Sequence, residues 1–584
     1  MPTSLINADS LLAIDVGAVS TRAMLFDVVD GRYRFLAAGL APSTAEAPFF
    51  DVGEGIRRAI DQLHLITGRE FIGPDEQLII PSKPNGSGVD TCVATVSAGT
   101  PLKVVAIGLL EDISTESAVR LASTTYAQVV DKLSLNDRRK QAARIDSILR
   151  LRPDLVIVAG GTEDGASQSV ISLLEPVGLA CYLSPEGQRP EVLYAGNHSL
   201  VDEVESLLGS LVHLSVSPNI RPALDVEQLS VAQPELAQVY RSIRVRDLNG
   251  VQELDGWAGG KLIPTATAFG RMVRFLSHVY DSAKGVFGVD IGASATVLAA
   301  GFSGDVHLGV YTDLCLGQNV TGILENSSVE GIARWLPVDI PASEIQDYIY
   351  NKSLHPYTLP ASQEALALEQ ALARQAMQIG VKRLLDGLPT HIRTSGHGLM
   401  PLFEPIVATG SILTNTPSRG QTLLTLLDGL QPTGVTTMVL DQNNIMPALG
   451  AAAGINSILP VQVLESSTFM NLGTVISPSG SAPYGALALR VKVKQEGSTE
   501  ATLEIKHGTL EVIPLPLGKA ANLHLQPLNR FDVGMGGPGR GGSVRVVGGV
   551  LGVIIDARGR PLRLPKEDAR RRDLLKKWIW TLGG

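Results

Sequence analysis

The residues of this chain whose types and spacing could do chemistry are Asp15-Val16-Gly17-Ala18 and Asp290-Ile291-Gly292-Ala293. In both places an aspartate closes an apolar run and a glycine follows two residues later. The surrounding stretches, AIDVGAVSTRAMLF at 13–26 and GVDIGASATVLAAG at 288–301, align at a constant offset of 275, which also sets Thr21 on Thr296. A carboxylate beside a small-residue turn places one anionic group next to exposed backbone N–H donors, an arrangement suited to a phosphate and its cation. Mg²⁺ keeps most of its waters, so Asp15 and Asp290 are expected to hold it through water and are the first catalytic candidates. The expected phosphate contacts are Gly17, Ser20, Thr21 and Arg22 in the first copy, and Gly292, Ala293, Ser294 and Thr296 in the second. A single motif of this kind is an ordinary turn. Two copies in equivalent strand contexts read as two loops that clamp one nucleotide.

The elements that must position these loops follow from hydrophobic patterning. Each copy is a strand, a tight turn and a second strand, followed by a third strand at 32–38 or 306–311 after a glycine turn. Between the copies, strands at 104–110, 154–161 and 191–196 alternate with helical stretches from Thr115, Ser167 and Leu200, the pattern of a largely parallel, covered sheet. A helix over 262–280 leads into the second copy, where a helix at 361–385, a strand and turn at 405–417 and an Ala/Gly-rich helix at 446–455 follow. After about 465, short alternating segments separated by Gly and Pro predict a β-sandwich or barrel. The expected division is a first α/β lobe at 1–284, a second at 285–464, a β-rich extension at 465–563 and an amphipathic basic helix at 564–584. On that helix Leu574, Leu575, Trp578, Ile579 and Leu582 share one face, which predicts docking rather than membrane attachment.

Composition narrows the classes. The chain has 584 residues, 44% apolar and 18% charged, enough for several cores, and its net charge of −9 argues against a dedicated nucleic-acid surface. Three scattered cysteines and ten isolated histidines give neither a disulfide framework nor a protein-only metal site. No signal peptide or apolar run of membrane length is evident, so a cytoplasmic location is expected.

With these motifs in place, the chain resembles the actin, hexokinase and heat-shock-chaperone ATPase superfamily, whose two ribonuclease H-like domains each present a phosphate loop. The resemblance implies ATP and Mg²⁺ as ligands. It matches the superfamily's adenosine motif to Val407-Ala408-Thr409-Gly410-Ser411, with Gly410 and Ser411 bordering the nucleoside, and its small-residue connecting helix to 447–454. A closer resemblance, over about residues 11–460, is to the glutamate mutase L family, distinct from the mismatch-repair protein of similar name. It is carried by IDVGAVSTRAMLFD, LKVVAIGLLEDISTESA, RPDLVIVAGGTEDG, the YAGN of 194–197 and LIPTATAFGRM. This family implies an ATP-driven accessory or reactivation chaperone for an adenosylcobalamin-dependent mutase, with that mutase or a second copy of the chain as partner. In GVYTDLCLGQNV, Asp313 stands beside Thr312 where a glutamate-containing pattern is expected, and Asp313 is the remaining candidate for orienting water. A small-molecule kinase and an actin-like filament or scaffold remain alternatives on the same fold.

Overall fold

The computed structural model describes residues 9–163, 165, 167–281, 283–390, 392, 399–495 and 500–583. It falls into two compact units, Met1–Gly31 with Leu36–Ala268, and Arg32–Phe35 with Phe269–Gly584. The sequence boundary at 284/285 follows the helix Thr265–Val279, whereas the structural division runs through it.

The first unit is built on β1 (Leu11–Val16), β2 (Ser20–Val29), β3 (Arg32–Pro42) and β4 (Thr91–Val96), followed by an inserted set: β5 (Leu102–Gly108), β6 (Ala127–Leu133), β7 (Leu155–Ala159), β8 (Glu191–Tyr194) and β9 (Leu214–Val216). The short strand β10 (Ile263–Pro264) returns to the first sheet, whose order is β10-β4-β1-β2-β3. Every residue of β1 is buried, as a central strand covered on both faces requires. The inserted strands form their own parallel sheet in the order β6-β5-β7-β8-β9, with the helices Ser167–Leu183 and Val201–Leu208 packed on it. The sequence alternation of apolar runs and amphipathic stretches anticipates this sheet.

The second unit repeats the first sheet. Its strands are β11 (Gly285–Ile291), β12 (Thr296–Phe302), β13 (Asp305–Tyr311), β14 (Phe403–Thr409), β15 (Gly434–Leu440), β16 (Met470–Ser477), β17 (Leu487–Gln495), β18 (Ala501–Lys506), β19 (Leu510–Ile513), β20 (Ala520–Pro527), β21 (Gly542–Val547) and β22 (Val553–Asp556). The sheet order is β13-β12-β11-β14-β15-β16-β22-β19, and its first five strands have the order and directions of β3-β2-β1-β4-β10. Both loops therefore sit at the same place, between an antiparallel hairpin and a parallel neighbour.

The β-rich segment differs from the expectation of a separate extension beginning at 465. Strands β16, β22 and β19 continue the second sheet, and only β17, β18, β20 and β21 make a four-stranded sheet of their own. That sheet closes on the larger one through Leu489, Val491, Leu523 and Leu525, which share a core with Val435, Ile476 and Ile555. A fully buried ion network fastens the same region. Arg558 donates to Asp556 and Asp428 at 2.8 Å, Arg560 donates to Asp556 at 2.5 Å, and Arg374 donates to Asp428 at 2.9 Å. Asp428 and Arg374 lie on helices before 465 and pair with each other, and the segment after 465 supplies Arg558 as the second charge partner of Asp428.

The terminal helix Asp568–Thr581 docks on its own unit. Leu575, Trp578 and Leu582 are buried in the core cluster of Leu423 and Leu427, with Arg558 stacked 4.6 Å from the Trp578 ring. Trp580 is 81% exposed. Trp578→Ala is accordingly expected to lose about 3–5 kcal/mol of stability and Trp580→Ala less than about 0.5 kcal/mol. Thermal melting of the two variants separates these outcomes.

Candidate phosphate-binding site

The two loops are built by the same local physics. Gly17 N–H donates to the Ser20 carbonyl and Gly292 N–H donates to the Ala295 carbonyl, each at 3.0 Å. A Cβ on Gly17 would lie 2.8 Å from the Ser20 oxygen, and one on Gly292 would lie 3.2 Å from the Ala295 oxygen. The glycines are thus required by the closure of the hairpin as well as by any approach of a phosphate. Residues Gly17, Ala18 and Ser20, and Gly292, Ala293 and Ser294, are half-buried at the open ends of the hairpins.

Asp15 is 4% exposed and sits in register between Arg22 on β2 and Thr95 on β4. Its Oδ1 accepts the hydroxyls of Thr95 at 2.7 Å and Thr265 at 3.0 Å, while Arg22 Nη1 lies 3.4 Å from Oδ2. Arg22, expected as a phosphate contact, faces the Asp15 carboxylate. Asp290 is half-buried and has Val297 on β12 and Thr409 on β14 as register partners. Thr409 occupies the position of Thr95, but its hydroxyl donates to Asn444 Oδ1 and, at 3.1 Å, to the Asp441 carbonyl. The two acids share a backbone position but differ in their neighbours.

Thr21 and Thr296 depart from the expectation. Thr296 is fully buried and donates its hydroxyl to the Leu314 carbonyl at 2.5 Å, and Thr21 is equally inaccessible. Both face the inside of the fold, because a strand's side chains alternate between faces and theirs fall on the buried one. The structure therefore buries both hydroxyls rather than presenting them at the mouth of the loop.

Gly410 and Ser411 reach the second loop. Gly410 has φ +105, a Cβ there would lie 2.4 Å from the Ile291 carbonyl, and its N–H donates to Asn444 Oδ1 at 3.0 Å. Only glycine can pass so close to β11 in that conformation. A helical turn starts directly at Ser411, and the longer helix Arg419–Leu430, capped by Ser418, follows just after Pro417. Leu316 N–H donates to the Gly292 carbonyl at 3.0 Å, laying the segment after β13 on the same loop.

Asp313 is held elsewhere in function. Arg383 binds it with two parallel bonds, at 2.9 Å to Oδ1 and 2.8 Å to Oδ2, and Asn326 adds a third at 3.0 Å. With both oxygens engaged in a bidentate pair, the carboxylate is a poor water-orienting group. Asp313→Asn is expected to leave any ATP turnover within about twofold of the parent, since the pair is half-exposed and of small energetic weight. A steady-state phosphate-release assay checks this.

The three cysteines are buried, and burial pushes the thiols up, Cys92 to about 12 and Cys181 and Cys315 to about 11, so none is a ready nucleophile. Among the described residues no group of three or more His, Cys, Asp or Glu could hold a metal, and no helix is long and apolar enough to cross a membrane. One carboxylate per loop nevertheless fits Mg²⁺, which is commonly held by one or two carboxylates together with phosphate oxygens. The residues that sequence reasoning missed are Thr95, Thr265 and Asn444. Each meets its partner from a distant element; Thr265 lies in the LIPTATAFGRM stretch, but nothing local there points to Asp15.

The family model described as MutL protein matches residues 11–468. The chain belongs to that family. The MutL match includes both loops and ends near the start of β16. Protein MutL of Clostridium tetanomorphum is 22% identical over 446 residues, covering 71% of this chain and 88% of its own length. The fold is also similar to the ethanolamine utilization protein EutJ from Carboxydothermus hydrogenoformans, at 10% identity over 77% of this chain and 91% of that one, with a TM-score of 0.27. A diol dehydratase-reactivating factor in nucleotide-free form matches at 10% identity over 78% and 99%, with a TM-score of 0.30. At these scores the two structures transfer no function to the MutL chain.

Proposed function

We propose that this MutL-family chain binds ATP with Mg²⁺ at its two hairpin loops and hydrolyses it, as an actin-like ATPase acting on a partner protein. The observation that carries this reading is the repeat in register. In each unit an aspartate at the end of the first strand stands beside a glycine hairpin and opposite a threonine on the parallel neighbour. Asp15 and Asp290 orient the cation's waters. The loop residues around Ser20 and around Ala293 and Ser294 supply hydrogen bonds to phosphate, with Arg22 available as a cation. Gly410, pinned by Asn444, and Ser411 after it border the nucleoside. Magnesium, when bound, neutralises phosphate charge, so the chain's own work is positioning.

The partner we propose is an adenosylcobalamin-dependent mutase, with the chain acting as its accessory or reactivation chaperone. Family membership supports this. The test is ATP turnover with an oxygen- or substrate-inactivated mutase added. Stimulation together with recovery of mutase activity supports the reading. Turnover that depends instead on a metabolite, or ATP-dependent sedimentation without a partner, replaces it with a kinase or a filament protein.

A further inference from the structure

We propose that Asn444 touches the bound nucleotide directly, its carboxamide NH₂ donating to an oxygen of the phosphate joined to the nucleoside. The proposal rests on the nucleotide reading above and adds to it a contact made within the second unit.

The turn that carries Asn444 is fixed by its own sheet. Beyond the last registered pair of β14 and β15, Ala408 with Leu440, the Asp441 N–H still donates to the Ala408 carbonyl at 2.9 Å. Asp441 is fully buried, and its Oδ2 accepts the Met446 N–H at 2.8 Å at the head of the helix Met446–Ala452. Between these two ties the chain turns back, with the Asn444 N–H on the Asp441 carbonyl at 3.3 Å and Asn444 at φ +54. That left-handed conformation suits asparagine, whose short polar side chain bonds locally.

The chemistry lies in how the amide is oriented. The Gly410 N–H lies 3.0 Å from Oδ1 and can only donate, so the atom facing it must be the carboxamide oxygen. The Thr409 hydroxyl donates to the same oxygen. Two donors thus lock the amide against flipping and occupy both lone pairs of its oxygen. Nδ2 keeps its N–H donors, on a half-buried residue, with no partner among the described residues. A group that only donates, held in one orientation, is matched to an anionic acceptor such as a phosphate oxygen.

The same two bonds locate the amide along the site. Gly410 lies against the Ile291 carbonyl and, in the reading above, borders the nucleoside. Thr409 is the register partner of Asp290, which in that reading orients the cation's waters. An amide bonded to both sits at their junction, where the phosphate attached to the nucleoside belongs. In the first unit Thr95, in the position of Thr409, gives its hydroxyl to Asp15 instead, so this contact marks one of the two loops.

The test uses the full chain with Asn444→Asp and Asn444→Ala. Calorimetry measures adenosine and AMP binding without Mg²⁺, so that no cation bridges the introduced carboxylate to phosphate. Aspartate tolerates the same backbone and keeps an acceptor for Thr409 and Gly410, but it turns an anionic oxygen toward the ligand. Without ligand, the aspartate variant should melt with the parent, and the alanine variant about 4 °C lower. AMP affinity should fall about tenfold in Asn444→Ala, the worth of one hydrogen bond to a charged group, and about 100-fold in Asn444→Asp. Adenosine affinity in Asn444→Asp should stay within about twofold of the parent's. Parental AMP affinity in Asn444→Asp, or equal losses for adenosine and AMP, would overturn the contact and leave the nucleotide reading standing. A parent chain that binds neither compound sinks the nucleotide reading itself, and the contact with it.

Discussion

Asp15→Ala and Asp290→Ala are each expected to lower ATP turnover by at least about 100-fold, the usual loss when a preorganised polar group is removed from a reacting phosphate or carbonyl centre. The two variants should differ in stability. Asp15 is buried and accepts two hydroxyls, so its loss leaves Thr95 and Thr265 with unanswered donors and costs about 1–3 kcal/mol. Asp290 is half-buried at the mouth of its hairpin and should cost less. Asp15→Asn, which keeps an acceptor for both hydroxyls, separates folding from chemistry: it should restore the melting temperature but not the rate. Paired measurements of phosphate release and thermal unfolding check both halves, and full activity in both alanine variants refutes a nucleotide site built from two loops.

Removing Arg558 is expected to have the largest effect on stability. Arg558→Ala leaves the Asp428 and Asp556 carboxylates in the core without their shared cation, and breaking a fully buried pair in this way costs about 3–5 kcal/mol. For the same reason a chain ending at 464 is expected to be insoluble or unfolded in its second unit. It would lose β16, β22 and β19 from the sheet and, with Arg558, one of the two arginines that neutralise the buried Asp428. A well-folded, nucleotide-binding truncated chain would show that the network is dispensable. The acid side carries a second signature. Burial alone raises the Asp556 carboxyl, but the Arg558 and Arg560 guanidiniums outweigh it and hold the group well below the usual carboxylate range. A folded-state value below the unfolded one contributes stability above about pH 4, and that contribution is lost as the pH falls toward the folded value. Denaturant titrations should show this loss below pH 4 in the parent chain and a smaller one in Arg558→Ala.

By itself the sequence determined what local patterning can encode. The 275-residue offset placed both aspartates and both hairpin glycines, because a strand end followed by a tight turn is written in adjacent residues. Alternating apolar runs and helical stretches located the inserted parallel sheet, and the spacing of Leu575, Trp578 and Leu582 selected the docked face of the last helix. Only the tertiary structure decided who meets these groups. Thr95 and Thr265 lie 80 and 250 residues from Asp15, brought to it by parallel pairing that leaves no mark on short-range periodicity. Burial of Thr21 and Thr296 was settled by which face of the hairpin is covered, and Asp313 was taken by Arg383, 70 residues away. The break in pattern near 465 was legible, yet its meaning as a boundary was not. Alternation reports that a segment is a strand with one covered face, while the strand it pairs with is fixed by edges and buried charges such as Asp428, 130 residues before Arg558.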